Sequence, residues 1–149
     1  MSNIREDIAK DIVQVLQGIT DPAVVLVSRN PINTTDLSIA QYPAIFIRTT
    51  SELRDDATMT DLRFSEIEFT ISGYVRALSS ATTVNNSIDE QKNNLIEAVE
   101  EALETDRTRN GKALNSFVSN IVADDGSIFP IGRVDITYTV RYKYTRGTL

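Results

Sequence analysis

From Arg133 to Tyr144 the chain alternates strictly. Val134, Ile136, Tyr138, Val140, Tyr142 and Tyr144 take one set of positions, and Arg133, Asp135, Thr137, Thr139, Arg141 and Lys143 take the other. Successive side chains of a strand point to opposite faces, so this pattern predicts one long strand with an apolar side and a wet side. Glu66 to Arg76 reads the same way, with Ile67, Phe69, Ile71, Gly73 and Val75 set against Glu66, Glu68, Thr70, Ser72, Tyr74 and Arg76. Strands of this kind belong to an antiparallel or mixed sheet covered on one face and open to water on the other. The rest of the chain has to supply the cover.

Two segments have the spacing to do so. Asn3 to Gln17 places Ile4, Ile8, Ile12, Val15 and Leu16 on one helical face. Ser2 or Asn3 can cap this helix, Glu6 and Asp7 favour its amino end, and Gly18 suits its termination. A second helix, from Ile88 to about Thr105, carries Ile88, Leu95, Val99 and Leu103 in a stripe widened by Ala98 and Ala102. Ser87 with Glu90 has the spacing of a capping box in front of it.

The remaining segments read as strands and connections. Ala23 to Ser28 is a short apolar run, expected as a well-buried strand. Asn30 to Gln41 and Ser79 to Asn86 are polar loops. Pro43 marks the start of a strand from Ala44 to Thr49, and Thr50 to Thr60 turns polar, predicting a connection of about eleven residues. The next strand begins near Leu62. Its apolar phase moves from Leu62 and Phe64 to Ile67, which predicts a bulge or bend around Ser65-Glu66. Leu114 to Ala123 fits a strand or a short helix. A strand is preferred because the turn Asp124-Asp125-Gly126-Ser127 then lets Arg133–Tyr144 pair back as a hairpin. The expected fold is α+β: a four- to five-stranded, mostly antiparallel or mixed sheet with two helices packed on one face, in a single domain spanning residues 1–149.

The available chemistry is narrow. The chain has no cysteine and no histidine, which removes thiolate nucleophiles, sulfur ligands and the commonest acid–base catalyst near neutral pH. Asp55, Asp56 and Asp61, and likewise Asp124 and Asp125, are acidic clusters that a hard cation can use, but neither has the ligand spacing of a calcium loop. Glu66 and Glu68 share a strand face that reads as solvated, whereas paired catalytic carboxylates need unlike environments. Gly73 is isolated in a strand, and Gly126 and Gly132 read as turn residues, so there is no phosphate-cradling loop. No catalytic, metal or cofactor site is expected. The amino terminus lacks the pattern of a secretory signal, and no apolar run approaches the ~20 residues that cross a bilayer.

Charge is uneven. The net value is −6, with 8 Lys+Arg against 17 Asp+Glu in residues 1–104 and 7 against 4 in residues 105–149. An acidic chain does not seek nucleic-acid phosphate. The asymmetry permits head-to-tail association between copies, unless the two segments interleave in space and cancel it. On the second helix, Glu97/Glu101 and Glu100/Glu104 are like-charge pairs four apart, near an end where the helix dipole disfavours anions. Either Arg107 and Arg109 just downstream relieve them, or a cation from another chain does.

The order of segments is itself informative. An opening amphipathic helix, a strand and a loop precede Tyr42-Pro43-Ala44-Ile45-Phe46-Ile47. A long strand ending Ile71-Ser72-Gly73-Tyr74-Val75-Arg76 leads to the capped helix. The chain closes through Pro130-Ile131-Gly132-Arg133-Val134-Asp135-Ile136 into Val140-Arg141-Tyr142. This resembles the tail terminator (tail-completion) proteins of long-tailed bacteriophages across nearly the whole chain, by pattern more than by motif. The resemblance implies a structural, non-enzymatic virion protein, present in the host cytoplasm during assembly. It implies a homo-oligomeric ring, six-membered in that family, on the head-proximal end of the tail tube. Such a ring ends tube growth, offers a surface for the head, and lets genomic DNA through its lumen without specific binding. Its partners would be the tail tube protein, a head-completion or neck protein and, in some tails, the sheath, with no membrane involved.

On that picture the loop bearing Arg54, Asp55, Asp56, Met59 and Asp61 is the expected tube contact, Met59 supplying an adaptable apolar group. Glu100, Glu101, Glu104, Arg107, Arg109, Lys112, Arg141 and Lys143 are the expected subunit or head-side contacts. The two sets can be exchanged. A head-completion, neck or baseplate component of the same particle is the alternative, and a carboxylate- or metal-dependent enzyme or binding module is the alternative from another class.

Overall fold

The computed structural model describes residues 3–20, 23–30, 37, 41–55, 62–76, 88–125 and 130–145. In chain order its elements are α1 (Ile4–Gln17), β1 (Leu26–Ser28), β2 (Ala44–Asp55), β3 (Leu62–Arg76), α2 (Ile88–Glu104), β4 (Asn115–Ala123) and β5 (Ile131–Thr145). The strands form one five-stranded sheet in the order β1-β2-β3-β5-β4. β1 is parallel to β2 and every other neighbouring pair is antiparallel. The architecture is therefore the α+β arrangement that the alternation and the two amphipathic stretches demand.

Both helices supply the missing cover. Ile8, Ile12 and Leu16 of α1 and Leu95, Val99 and Leu103 of α2 join one buried cluster with Ile45 and Ile47 of β2, Ile67, Phe69 and Ile71 of β3, and Val134, Ile136 and Tyr138 of β5. Asn3 caps α1 as expected, its side chain accepting the Glu6 N–H at 2.8 Å. Ser87, the expected cap of α2, lies outside the described residues, as does most of each polar loop.

α2 approaches the sheet very closely because two glycines let it. A Cβ on Gly73 would stand 2.6 Å from Leu95 Cδ2, and one on Gly132 would stand 2.9 Å from Ile88 Cγ1. Gly132 is accordingly no turn residue: β5 already begins at Ile131 and holds Gly132 under the helix.

Three further expectations need correction. β2 does not end at Thr49 but runs to Asp55, with its register shift between Thr49 and Ser51, so much of the supposed polar connection is strand. β3 has no bulge at Ser65-Glu66. It pairs with β5 without interruption from Leu62↔Thr145 to Arg76↔Ile131, which leaves Arg63 and Ser65 on the same side as Ile67 and sends Phe64 to the other. β1 is shorter than the Ala23–Ser28 run, only partly buried, and lies at the rim of the sheet.

A candidate docking surface on the open face of the sheet

Residues opposite one another on paired strands share a face, so the register gives the composition of each side. Where α2 crosses, the arrangement is ordinary. The helix side carries Ile71, Val75, Val134 and Ile136, and the open side is closed by polar contacts. Ser72 Oγ donates to Asp135 Oδ1 at 2.7 Å, Arg133 Nε donates to the same oxygen at 3.0 Å, and the Arg133 guanidinium lies 5.7 Å from the Tyr74 ring centre.

At the other end of the same strands, by the β2–β3 hairpin, the polarity reverses. The helix side there is polar and its centre is Glu52. Its Oε2 accepts from Ser65 Oγ at 2.6 Å and Tyr142 OH at 2.8 Å and meets the Arg54 guanidinium at 2.9 Å, while Arg5 of α1 stands 3.4 Å from Oε1. Burial opposes ionisation of Glu52, but the Ser65 and Tyr142 hydrogen bonds and the charges of Arg54 and Arg5 outweigh it, so its carboxyl titrates below the ordinary range. Burial likewise pushes the Tyr142 hydroxyl up, with the neighbouring Glu52 carboxylate adding to it. Arg54 also stacks on Tyr144, 4.6 Å from the ring centre.

The open side of this hairpin end is the apolar one. Leu53 is 74% exposed, Phe64 37% and Leu114, at the start of β4, 48%. With Glu66, Asn115 and Arg141, and with Arg54, Ser65 and Tyr142 of the helix side also reaching it, they line a concavity of about 480 Å³. Phe117 extends the patch beneath Arg141, whose guanidinium is 5.5 Å from the ring centre and 3.6 Å from Glu66 Oε2. Single exposed apolar residues need no explanation, but a contiguous set around a concavity with a cation and an anion at its rim is the form of an interaction site. The groups with clear contacts are tyrosines, arginines and carboxylates engaged with one another.

The expected site residues separate into distinct groups. Arg54 is in β2, held by Glu52 and Tyr144 on the helix side, and also lines the concavity. Asp55 ends the same strand, while Asp56, Met59 and Asp61 lie outside the described residues. Arg141 and Lys143 are exposed on the open face, and Arg141 belongs to the concavity. Glu101 and Glu104 are exposed and Glu100 half-buried on α2, away from that concavity; none forms an ion pair among the described residues.

Arg107 and Lys112 are exposed, but Arg109 is fully buried and cannot serve as a surface contact. Its guanidinium donates to Asp11 Oδ2 at 3.2 Å, to the Leu103 carbonyl at 2.6 Å and to the Asp106 carbonyl. It thus relieves the end of α2 by satisfying a carbonyl that a helix terminus leaves unpaired, not by meeting the glutamates. The loop around it is braced. Arg109, Asn110 and Gly111 take left-handed backbone angles, and the Asp106 carboxylate accepts the Asn110 and Thr108 N–H groups, which hold its titration below the usual range. Tyr138 OH donates to Ser116 Oγ at 2.6 Å and Ser116 Oγ to the Arg107 carbonyl at 2.8 Å, tying this loop to the sheet.

Sequence reasoning missed Leu53, Phe64, Leu114 and Phe117. One signal was available: the change of apolar phase between Phe64 and Ile67, which a regular strand turns into a change of face.

No family model and no curated protein matches the chain. Among solved structures it is similar to a chain of one titled "Virion of native gene transfer agent (GTA) particle". The TM-score is 0.46 and the identity 13%, over 95% of this chain and 92% of that one. A likeness at that level assigns no role to any residue.

Proposed function

We propose that this protein works by occupying a surface, as a tail-terminator-like virion component. Copies would form a ring, six-membered as in the family it resembles. The ring would cap the head-proximal end of the tail tube, end its growth and offer a surface for joining the head. The observation that carries the reading is the reversed hairpin end, with polar groups locked together on the helix side and Leu53, Phe64 and Leu114 bare on the open side. Fully burying an exposed side chain of this size is worth about 1.5–3 kcal/mol, and a partner would recover the share of that left open on Leu53, Phe64 and Leu114, which are 74, 37 and 48% exposed. Tube docking is assigned to this concavity and to residues 56–61, which connect β2 to β3 in the sequence. Arg107 and Lys112, with Glu101 and Glu104, are left for a subunit or head-side contact. A terminating mechanism follows from occupancy alone: the last tube ring buries its binding surface against a ring that offers no equivalent surface above.

The test uses tubes polymerised from a tail tube protein of the same particle, imaged by negative-stain electron microscopy. Wild-type protein is expected at one tube end and should shorten the tubes when added during growth, and Leu53→Asp should do neither. Absence of wild-type protein from tube ends, or equal end binding by Leu53→Asp, would sink the reading.

A further inference from the structure

The backbone N–H and C=O groups along the rim of a sheet have two partners open to them, water or another strand. Proteins discourage the second with charge or proline on the rim strand. β4 forms one rim of this sheet and has neither: from Leu114 to Ala123 there is no charged residue, no proline and no glycine. Its distal part, 119–123, is exposed throughout, with Ile121 at 37% and Val122 at 53%. The single register shift lies before Asn120, and from there to Ala123 the strand is regular against β5.

The opposite rim strand, β1, is short, at three residues, and Ala23 ahead of it already bridges to Thr20. Ala23 to Ser28 carries no charge, and Val25 is 55% exposed. The Val25 N–H bonds inward to the Pro43 carbonyl at 2.9 Å, so alternation turns the Leu26 amide and carbonyl outward.

Strand direction then restricts the pairing. β1 runs with β2, against β3, with β5 and against β4. If the sheet of one copy continues into the next, β4 and the neighbour's β1 meet antiparallel, the more favourable ladder. The joined rims are different surfaces, so the contact is heterologous and can close into a ring, whereas β4 on β4 is self-complementary and stops at a dimer.

We propose that the 119–123 rim of β4 pairs antiparallel with the 24–28 rim of a second copy, so that one sheet runs from subunit to subunit. This rests on the ring reading above and names the contact that builds the ring.

Val122→Lys and Val25→Lys each place a charge on one rim, at side chains more than half exposed, so both variants should keep the wild-type melting temperature. Size-exclusion chromatography with light scattering over a concentration series is the readout. Wild type is expected to form closed oligomers, and each variant alone a monomer. An equimolar mixture of the two variants should give a one-to-one dimer, because it restores one intact β4–β1 contact and no more. Oligomers from either variant alone would overturn the rim pairing while leaving the ring in place. Self-association by Val25→Lys with none by Val122→Lys would replace it by a two-fold β4 contact. A wild type that stays monomeric at every concentration removes both the rim pairing and the self-assembled ring.

Discussion

The two ends of the β3–β5 pair are built from the same ladder yet solve opposite problems. Around Gly73 and Gly132 the strands are flattened to glycine so that α2 can lie against them, and stability comes from apolar contact. Around Ser65 and Tyr142 the interior is closed by a carboxylate hub that collects hydroxyls and guanidinium groups, and the apolar residues face out. One end is organised for its own helix. The other keeps Leu53, Phe64 and Leu114 partly exposed on the open face. A sheet face can therefore change its assignment along a strand without a bulge, provided that buried polar groups at the changed end are paired; here Glu52 Oε2 is fully engaged, while Oε1 has no hydrogen bond and faces Arg5 at 3.4 Å.

Substitutions separate the two ends. The largest effect is expected at the helix-covered end. Gly73→Ala places a methyl group against Leu95 and should cost about 2 kcal/mol in chemical denaturation. Adding Leu95→Ala should give a double variant that loses less than the sum of the single losses; strict additivity would mean that the close approach of α2 is not what requires the glycine. At the hairpin end, Glu52→Ala strips the acceptor from Ser65 and Tyr142 and should cost about 1–2 kcal/mol, while Glu52→Gln, which keeps an oxygen, should cost less.

The hub also carries a pH signature. The folded-state value of Glu52 lies below its ordinary 4.5. The ion therefore contributes stability that is complete above about pH 4.5 and is lost as pH falls through the depressed value. Denaturation midpoints taken between pH 7 and pH 3 should fall less steeply for Glu52→Gln than for wild type, and parallel profiles would show that the hub is not an ionised one. The smallest effect belongs to the open side: Leu53→Ser should change the stability of the isolated protein by no more than about 0.5 kcal/mol. A larger loss by thermal melting would mean that Leu53 packs within the fold and is not an outward contact.

The elements whose periodicity is complete were legible in the sequence. α1, α2, β3 and β5 bury the faces that their spacing marks, and β4 pairs antiparallel with β5 as expected, while Gly126 and Ser127 of the expected turn lie outside the described residues. The extension of β2 from Thr50 to Asp55 was not legible, because its inward positions are Glu52 and Arg54. A half-buried strand is recognised by apolar inward residues, and here the burial is polar. The misreading of Phe64 has the same origin: with Arg63 and Ser65 on the helix side, an inward apolar phase seemed to need a bulge. Arg109 was hidden for another reason. A basic loop reads as surface unless the carbonyls at a helix terminus and a carboxylate on a distant helix are known to converge on it.

The β3–β5 ladder also has a mechanical meaning. Its fifteen opposed pairs run from the hairpin tip to the helix-covered core without a break in register. Antiparallel hydrogen bonds lie across the strand axes, so a pull along those axes strains the rungs together instead of opening them one by one. Tension or compression received at the tip would reach the far end as a shared shear, with little local give. Of the strand pairs in this sheet, this is the one best suited to act as a stiff spar.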